Sequence, residues 1–302
     1  MEKETKIALI GLDTSHAIEF SRIMQAPDYK ESQRIKGLRA VSCLSFLTPF
    51  ISREELNERA EQLRSWGVNV TESFEEAIDG CDAVMLEIND PFYHLEYFQK
   101  CVNLKKPIFL DKPLADTIQN GKKISDLIGK YNLKVFSASS LRFRPQLLDA
   151  CQKINNPFSA SIYGCLGKAP AGSSIVWYGV HTFEMLERIM GRGAKSVSTQ
   201  KSASGLVCIV TYPEEKYGIV ELSTNIFSYG GCLRREGDSA HFTIDMSTAY
   251  ADLLREVNRF FETGITPVQF DDTLEVMALL DAAERSFQSG SVERVSVVAS
   301  NH

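Results

Sequence analysis

No apolar run in this chain is long enough to cross a bilayer, no segment is low in complexity, and no internal repeat is visible. Residues Met1 to Lys6 lead into only a short apolar stretch, Ile7 to Leu12, too brief for the core of a signal peptide, so none is expected. Basic charge is also scarce: 33 Lys and Arg stand against 39 Asp and Glu, for a net charge of −6. The densest cations are pairs such as Lys105-Lys106, Lys122-Lys123 and Arg234-Arg235. A nucleic-acid or membrane-surface partner would need a basic face, so neither is expected. The cysteines (43, 81, 101, 151, 165, 208 and 232) include no CxxC and no close pairing with histidine. That pattern argues against a disulfide frame or a metal site and for reduced thiols in a cytoplasmic protein.

What is present is a chain of 302 residues, 44% hydrophobic and 24% charged, which is long for one core and suggests two domains. Residues 6–11 form an apolar run that stops at Gly11, as a strand buried on both faces does. Asp13-Thr14-Ser15 can cap a helix whose apolar positions are Ala17, Phe20, Ile23 and Met24. Ser52-x-x-Glu55 and Ser73-x-x-Glu76 are capping boxes. Strands expected at 39–46, 82–88, 107–111 and 133–138 alternate with helices near 92–103 and 116–130. This rhythm calls for a doubly wound parallel sheet of Rossmann type over residues 1–140. In residues 141–302 the pattern changes. Strands at 158–165, 194–201, 205–212, 217–227 and 240–246 alternate in part, and helices are expected at 179–190, 248–263 and 272–289. An α+β domain with an open, mostly antiparallel sheet fits, and its open face suggests a homodimer or homotetramer.

A Rossmann domain holds pyrophosphate at its first strand-to-helix turn, with the fingerprint G-x-G-x-x-G/A. Here the turn reads Gly11-Leu12-Asp13-Thr14-Ser15-His16-Ala17, and only the first glycine is kept. Asp13 would repel phosphate unless it points away or caps the helix. Thr14, Ser15 and His16 could donate hydrogen bonds to the ligand. The second strand ends Cys43-Leu44-Ser45-Phe46, with no acid for the ribose of NAD and no arginine for NADP, so the dinucleotide type stays open.

Two further stretches carry more chemistry: Glu87-Ile88-Asn89-Asp90-Pro91-Phe92-Tyr93-His94, followed by Lys106-Pro107-Ile108-Phe109-Leu110-Asp111-Lys112-Pro113-Leu114; and Tyr178-Gly179-Val180-His181-Thr182-Phe183-Glu184. With Ser139-Ser140-Leu141-Arg142-Phe143-Arg144-Pro145 and the helix from Leu274 to Gly290, they resemble the glucose–fructose oxidoreductase/inositol dehydrogenase (Gfo/Idh/MocA) family. Its members carry a T-P-N-x-x-H-like turn, E-K-P after the fifth strand, G-x-H-x-x-D in the second domain, and an R-F-x-P junction. The resemblance spans nearly the whole chain.

That resemblance implies hydride transfer between NAD or NADP and a sugar, cyclitol or related polyol. It places Lys112 and His181 in the proton-transfer roles, since such a reaction needs a proton acceptor and a donor for the developing alkoxide. A partly desolvated lysine at a strand's carboxyl end can act as base or donor. Gly11, Asp13, Thr14, Ser15, His16, Ser45, Asn89, His94, Asp111 and Lys112 would line the cofactor, with His94 bracing its turn. Arg142, Trp177, Tyr178 and His181 would meet substrate, and Arg142, Arg144 and Lys168 could serve an acidic one. His241 and His302 read as surface residues. Trp177 stands where many members have an aspartate, and it could stack on a ring. The changes at Asp111 and Glu184 are milder. Two other readings remain: a catalytically weakened ligand-binding or sensor protein, and an NAD-dependent hydrolase or lyase.

Overall fold

A computed structural model describes residues 4–296, so His302 lies outside the described residues. The chain packs as two compact units. The first comprises residues up to 111, then 123–137 and 250–269, and the second comprises 112–122, 138–249 and the residues from 270 on.

In the first unit the apolar runs become six strands: β1 (Thr5–Ile10), β2 (Leu38–Leu44), β3 (Asn69–Thr71), β4 (Ala83–Leu86), β5 (Ile108–Leu110) and β6 (Val135–Phe136). They pair in parallel in the order β3-β2-β1-β4-β5-β6, the doubly wound arrangement expected from the sequence. The helices are α1 (Ser15–Gln25), α2 (Arg53–Ser65), α3 (Phe74–Ile78), α4 (His94–Cys101) and α5 (Ile118–Tyr131), the last beginning in the second unit. Both capping boxes form, with Ser52 Oγ accepting from Glu55 N and Ser73 Oγ from Glu76 N. Gly11 is required where β1 ends. Its φ is +108°, and a Cβ there would collide with the Glu87 carbonyl oxygen.

The second unit contains α6 (Pro145–Lys153), β7 (Ser159–Cys165), α7 (Ser174–Trp177), α8 (Val180–Met190), β8 (Ser196–Lys201), β9 (Gly205–Thr211), β10 (Tyr217–Ser223), β11 (Gly230–Arg235) and β12 (Asp238–Thr243). Then follow α9 (Ala249–Thr263), almost all of which belongs to the first unit, α10 (Phe270–Ser289) and β13 (Glu293–Arg294). The sheet runs β12-β11-β7-β10-β9-β8-β13 and is antiparallel except at β7/β10. Helices α8 and α10 pack on one face, over Val197, Cys208, Val210, Val220 and Leu222. Ile209 and Tyr217 alternate to the other face, which is open.

Strand β11 has no counterpart in the sequence reading. Gly230-Gly231-Cys232 lacks the β-branched residues that signal a strand. The glycines are there because Tyr163 and Phe242 occupy the space their side chains would need.

Candidate functional site

Two groups of residues, one in each unit, assemble around the carboxyl ends of strands and the starts of helices. In the first unit the turn after β1 is held from below. The Asp13 carboxylate is 1% exposed and accepts from Asn89 N (2.8 Å), Asp90 N (3.2 Å) and Thr48 Oγ1 (2.7 Å). Its charge is thus spent on the loops that follow β4 and β2, and the helix cap falls to Thr14, whose Oγ1 accepts from His16 N. The backbone N–H groups of Asp13, Thr14 and Ser15 make no hydrogen bond among the described residues. An eleven-residue helix that starts with free amides and a buried, inward-turned acid fits a dinucleotide pyrophosphate.

His16, in the place of the third fingerprint glycine, is buried rather than directed at a ligand. Its Nδ1 lies 2.7 Å from Asp111 Oδ2, and its ring packs on Phe20 and Tyr250. Glu87, fully buried at the end of β4, joins them, so that one ligand atom from each of His16, Glu87 and Asp111 lies within 4.8 Å of the others. Burial and the nearby Glu87 together push the Cys43 thiol up. Ser45 is buried, with its amide bonded to Thr71 O, and the neighbouring Phe46 stacks on Tyr97 at 4.5 Å. His94 Nε2 lies 2.7 Å from Ile88 O and ties down its own loop, and Asn89 Nδ2 donates to Asp13 O.

In the second unit Lys112 is 6% exposed and His181 is 9% exposed, in contrast to the usual solvated lysine. His181 lies one turn before Glu184 on α8, and the two grip Ser139 together: His181 Nδ1 is 2.6 Å from Ser139 Oγ, and Glu184 Oε1 accepts from Ser139 N at 2.8 Å. The His181 ring is flanked edge-on by Tyr178 at 5.4 Å and Tyr229 at 5.8 Å. Tyr229 fits because Gly164 has no side chain, and Trp177 with Tyr178 closes over Gly167 in the same way. Burial pushes the Tyr178 hydroxyl up.

Arg142 is committed within the unit. It pairs with Glu187 at 2.5 Å and with Asp272 at 3.7 Å, and it donates to Glu184 O. Burial, helped by the nearby Asp272 and Glu275, raises the Glu187 carboxyl although Arg142 acts to lower it. Arg144 donates to Thr248 Oγ1, while Lys168 is exposed, and His241 is exposed beside Cys232. In the sequence Glu87 and Ser139 fall within motif segments but carry no assigned role, and nothing there singles out Thr48 or Tyr229. Only Glu87 carries a local signal, an acid inside the apolar run from Val84 to Ile88.

Residues 8–139 match the model of an oxidoreductase family with an NAD-binding Rossmann fold, GFO_IDH_MocA. Among curated proteins none matches the chain in sequence. The fold is shared with the scyllo-inositol dehydrogenase of Lactobacillus casei, solved with NAD(H) and scyllo-inositol: TM-score 0.79, 14% identity, 97% of this chain and 99% of that one. It is shared with myo-inositol 2-dehydrogenase of Lactobacillus plantarum (0.79, 13%, 97% and 100%). GenD2 of gentamicin A biosynthesis, solved with NAD, is similar too (0.80, 11%, 98% and 97%). Residues 8–139 therefore carry the NAD-binding Rossmann fold of the GFO_IDH_MocA oxidoreductase family, and the chain as a whole shares the fold of these dehydrogenases.

Proposed function

We propose that this oxidoreductase acts with NAD or NADP on a hydroxyl or carbonyl carbon of a sugar, cyclitol or related polyol. The observation that carries this reading is the burial of Lys112 and His181 in one compact unit, directly following the Rossmann strand β5. Residues 1–140 supply most of the cofactor domain, and 141–302 most of the substrate and oligomerisation domain.

The first-turn amides at Asp13, Thr14 and Ser15 would take the pyrophosphate, with Gly11, Ser45, Asn89, His94 and Asp111 shaping the remainder of the site. The nicotinamide supplies the hydride acceptor or donor. Lys112 takes or returns the substrate hydroxyl proton, and His181 hydrogen-bonds the oxygen on which charge develops. Trp177 and Tyr178 offer flat apolar faces for the C–H side of a sugar or cyclitol ring. Neither acid nor arginine stands at the end of β2, so that strand end selects neither dinucleotide. The protein acts in the cytoplasm as a homodimer or homotetramer joined through the open sheet face, where Ile209 and Tyr217 are exposed. No helix among the described residues is long and apolar enough to cross a membrane.

Titration with NADH and NADPH, followed by thermal shift, tests the reading, and no stabilisation by either at millimolar concentration would overturn it. A panel of polyols and sugar acids follows. Lys112→Ala is expected to bind cofactor and to lose about 10²–10⁴-fold in turnover. Equal turnover in both proteins removes Lys112 from the mechanism.

A further inference from the structure

The Ser139 hydroxyl is hydrogen-bonded to the His181 ring, and its surroundings leave it little freedom. Ser139 is 0% exposed, and its side chain caps the short helical turn 140–143 by accepting the Leu141 N–H at 3.2 Å. One partner remains for the hydroxyl, His181 Nδ1 at 2.6 Å. Its hydrogen therefore has a single acceptor among the described residues. A protonated Nδ1 would set two N–H donors against one oxygen and strand the hydroxyl hydrogen in a dry site. Turning the side chain away would also give up its cap on the Leu141 N–H, and the backbone of the serine is itself anchored. Its backbone N–H is held by Glu184 Oε1 at 2.8 Å, and Glu184 stands one turn beyond His181 on α8. The same helix face thus fixes both the imidazole and the serine that reads it.

We infer that Ser139 is a positioning residue that holds His181 as the neutral tautomer protonated at Nε2, so that His181 faces substrate as a hydrogen-bond donor and not as a base. The inference rests on the oxidoreductase reading above and deepens it by dividing the proton chemistry between two residues. When an alcohol is oxidised, its hydroxyl proton would pass to the Lys112 amine, and a bound oxidised nicotinamide would supply the hydride acceptor. The oxygen keeps the His181 Nε2–H donor throughout as it becomes a carbonyl. His181 neither gains nor loses a proton over the cycle. Trp177, four residues before the histidine, offers no carboxylate that could take one instead. Loss of the serine should relax the tautomer preference, which the stranded hydroxyl sets at about tenfold or more.

The test is the imidazole ¹⁵N spectrum of the full chain labelled at histidine, with no cofactor added. The His181 signals are identified by their loss in His181→Gln. The expected spectrum has His181 Nδ1 in the unprotonated range and Nε2 in the protonated range. Ser139→Ala should move both signals toward the averaged position, and Ser139→Thr, which keeps the hydroxyl, should restore them. A wild-type spectrum with Nδ1 protonated overturns the inference, as does a folded Ser139→Ala protein with an unchanged spectrum. If Ser139→Ala does not fold, the wild-type tautomer decides alone. Adding NADH or NADPH to the same sample separates the two readings. Absence of any nucleotide effect, with Nε2–H still in place, overturns the oxidoreductase reading and upholds the tautomer lock.

Discussion

Replacing Asp13 separates two roles for an acid in the turn proposed to bind pyrophosphate. In the structure its carboxylate receives three hydrogen bonds, from two backbone amides and the Thr48 hydroxyl, at 1% exposure. In Asp13→Asn the remaining oxygen keeps the two donors that now share Oδ2, and the new amide group faces the Asn89 N–H. One bond to a charged acceptor is lost and one donor is opposed, a cost of about 2 kcal/mol. Asp13→Ala loses all three bonds. The Thr48 hydroxyl also serves Phe50 N and the Asn89 amide is only part-buried, so the expected cost is about 3–4 kcal/mol, short of three full bonds. At about 2–4 °C per kcal/mol, melting should fall by roughly 5–15 °C across the two variants. Differential scanning calorimetry reads this, and fluorescence titration of NADH on the same preparations reads the other half. On the proposed reading the carboxylate is turned away from the pyrophosphate, so NADH affinity should not improve. Were it turned toward a pyrophosphate about 5 Å away at an effective dielectric of about 20, its removal would relieve about 3 kcal/mol of repulsion. Affinity would then rise by about two orders of magnitude. Tighter binding of that size in Asp13→Asn, with unchanged melting, would refute the reasoning.

Arg142→Ala should cost about 3–5 kcal/mol, because it leaves Glu187 charged and buried, whereas the apolar pair Arg142→Met with Glu187→Leu should lie near the wild type. The Glu187 carboxyl is already raised above its ordinary 4.5 and rises further without Arg142. A raised carboxyl stabilises the fold in its protonated form, fully below the unfolded value and no longer above the folded one, so the deficit of Arg142→Ala should shrink as pH falls from 7 toward 5. A deficit that grows in acid would contradict the assignment. Burial pushes Cys101 up to about 12 and Cys208 up to about 11, from an ordinary 9.0. The thiol form is therefore the stabilising one, and melting should fall as pH climbs past 9.0 toward those values. At pH 8 iodoacetamide should label these two only after denaturant is added, and rapid labelling in the native protein would show them exposed.

The parts of the fold that could be read from the sequence are those set by neighbours in the chain. The run from Lys6 to Gly11 announces β1, and Ser52 with Glu55 announces the start of α2, because burial on both faces and helix capping act within a few residues. Strand β11 escaped because its glycines answer to Tyr163 and Phe242, which are remote in sequence. The return of residues 250–269 to the first unit escaped for a similar reason: Phe260 of α9 packs on Phe136, and helical periodicity alone does not name that partner. In the site, Lys112 and His181 could be singled out by motif, whereas Ser139 lay within a quoted junction without a role. Its function depends on His181, forty-two residues away, and no spacing rule reaches that far.

The two departures in the glycine turn have a common physical form. At both positions a fingerprint glycine has become a side chain that forms a polar link inside the first unit: Asp13 to the loops after β2 and β4, and His16 to Asp111 at the end of β5. A glycine turn keeps its shape through backbone freedom, and this one keeps it through side-chain hydrogen bonds to three neighbouring strand ends. The links account for a turn that has lost two of its glycines and still presents unspent amides at the start of α1. They also make the substitutions interdependent. Restoring glycine at position 13 alone would strand the Asn89 and Asp90 amides, and restoring it at position 16 alone would remove a ring that packs on Phe20 and Tyr250. A return to the family fingerprint would therefore require changes after β2, β4 and β5 as well, so the divergence of this turn is a property of the whole carboxyl edge of the sheet.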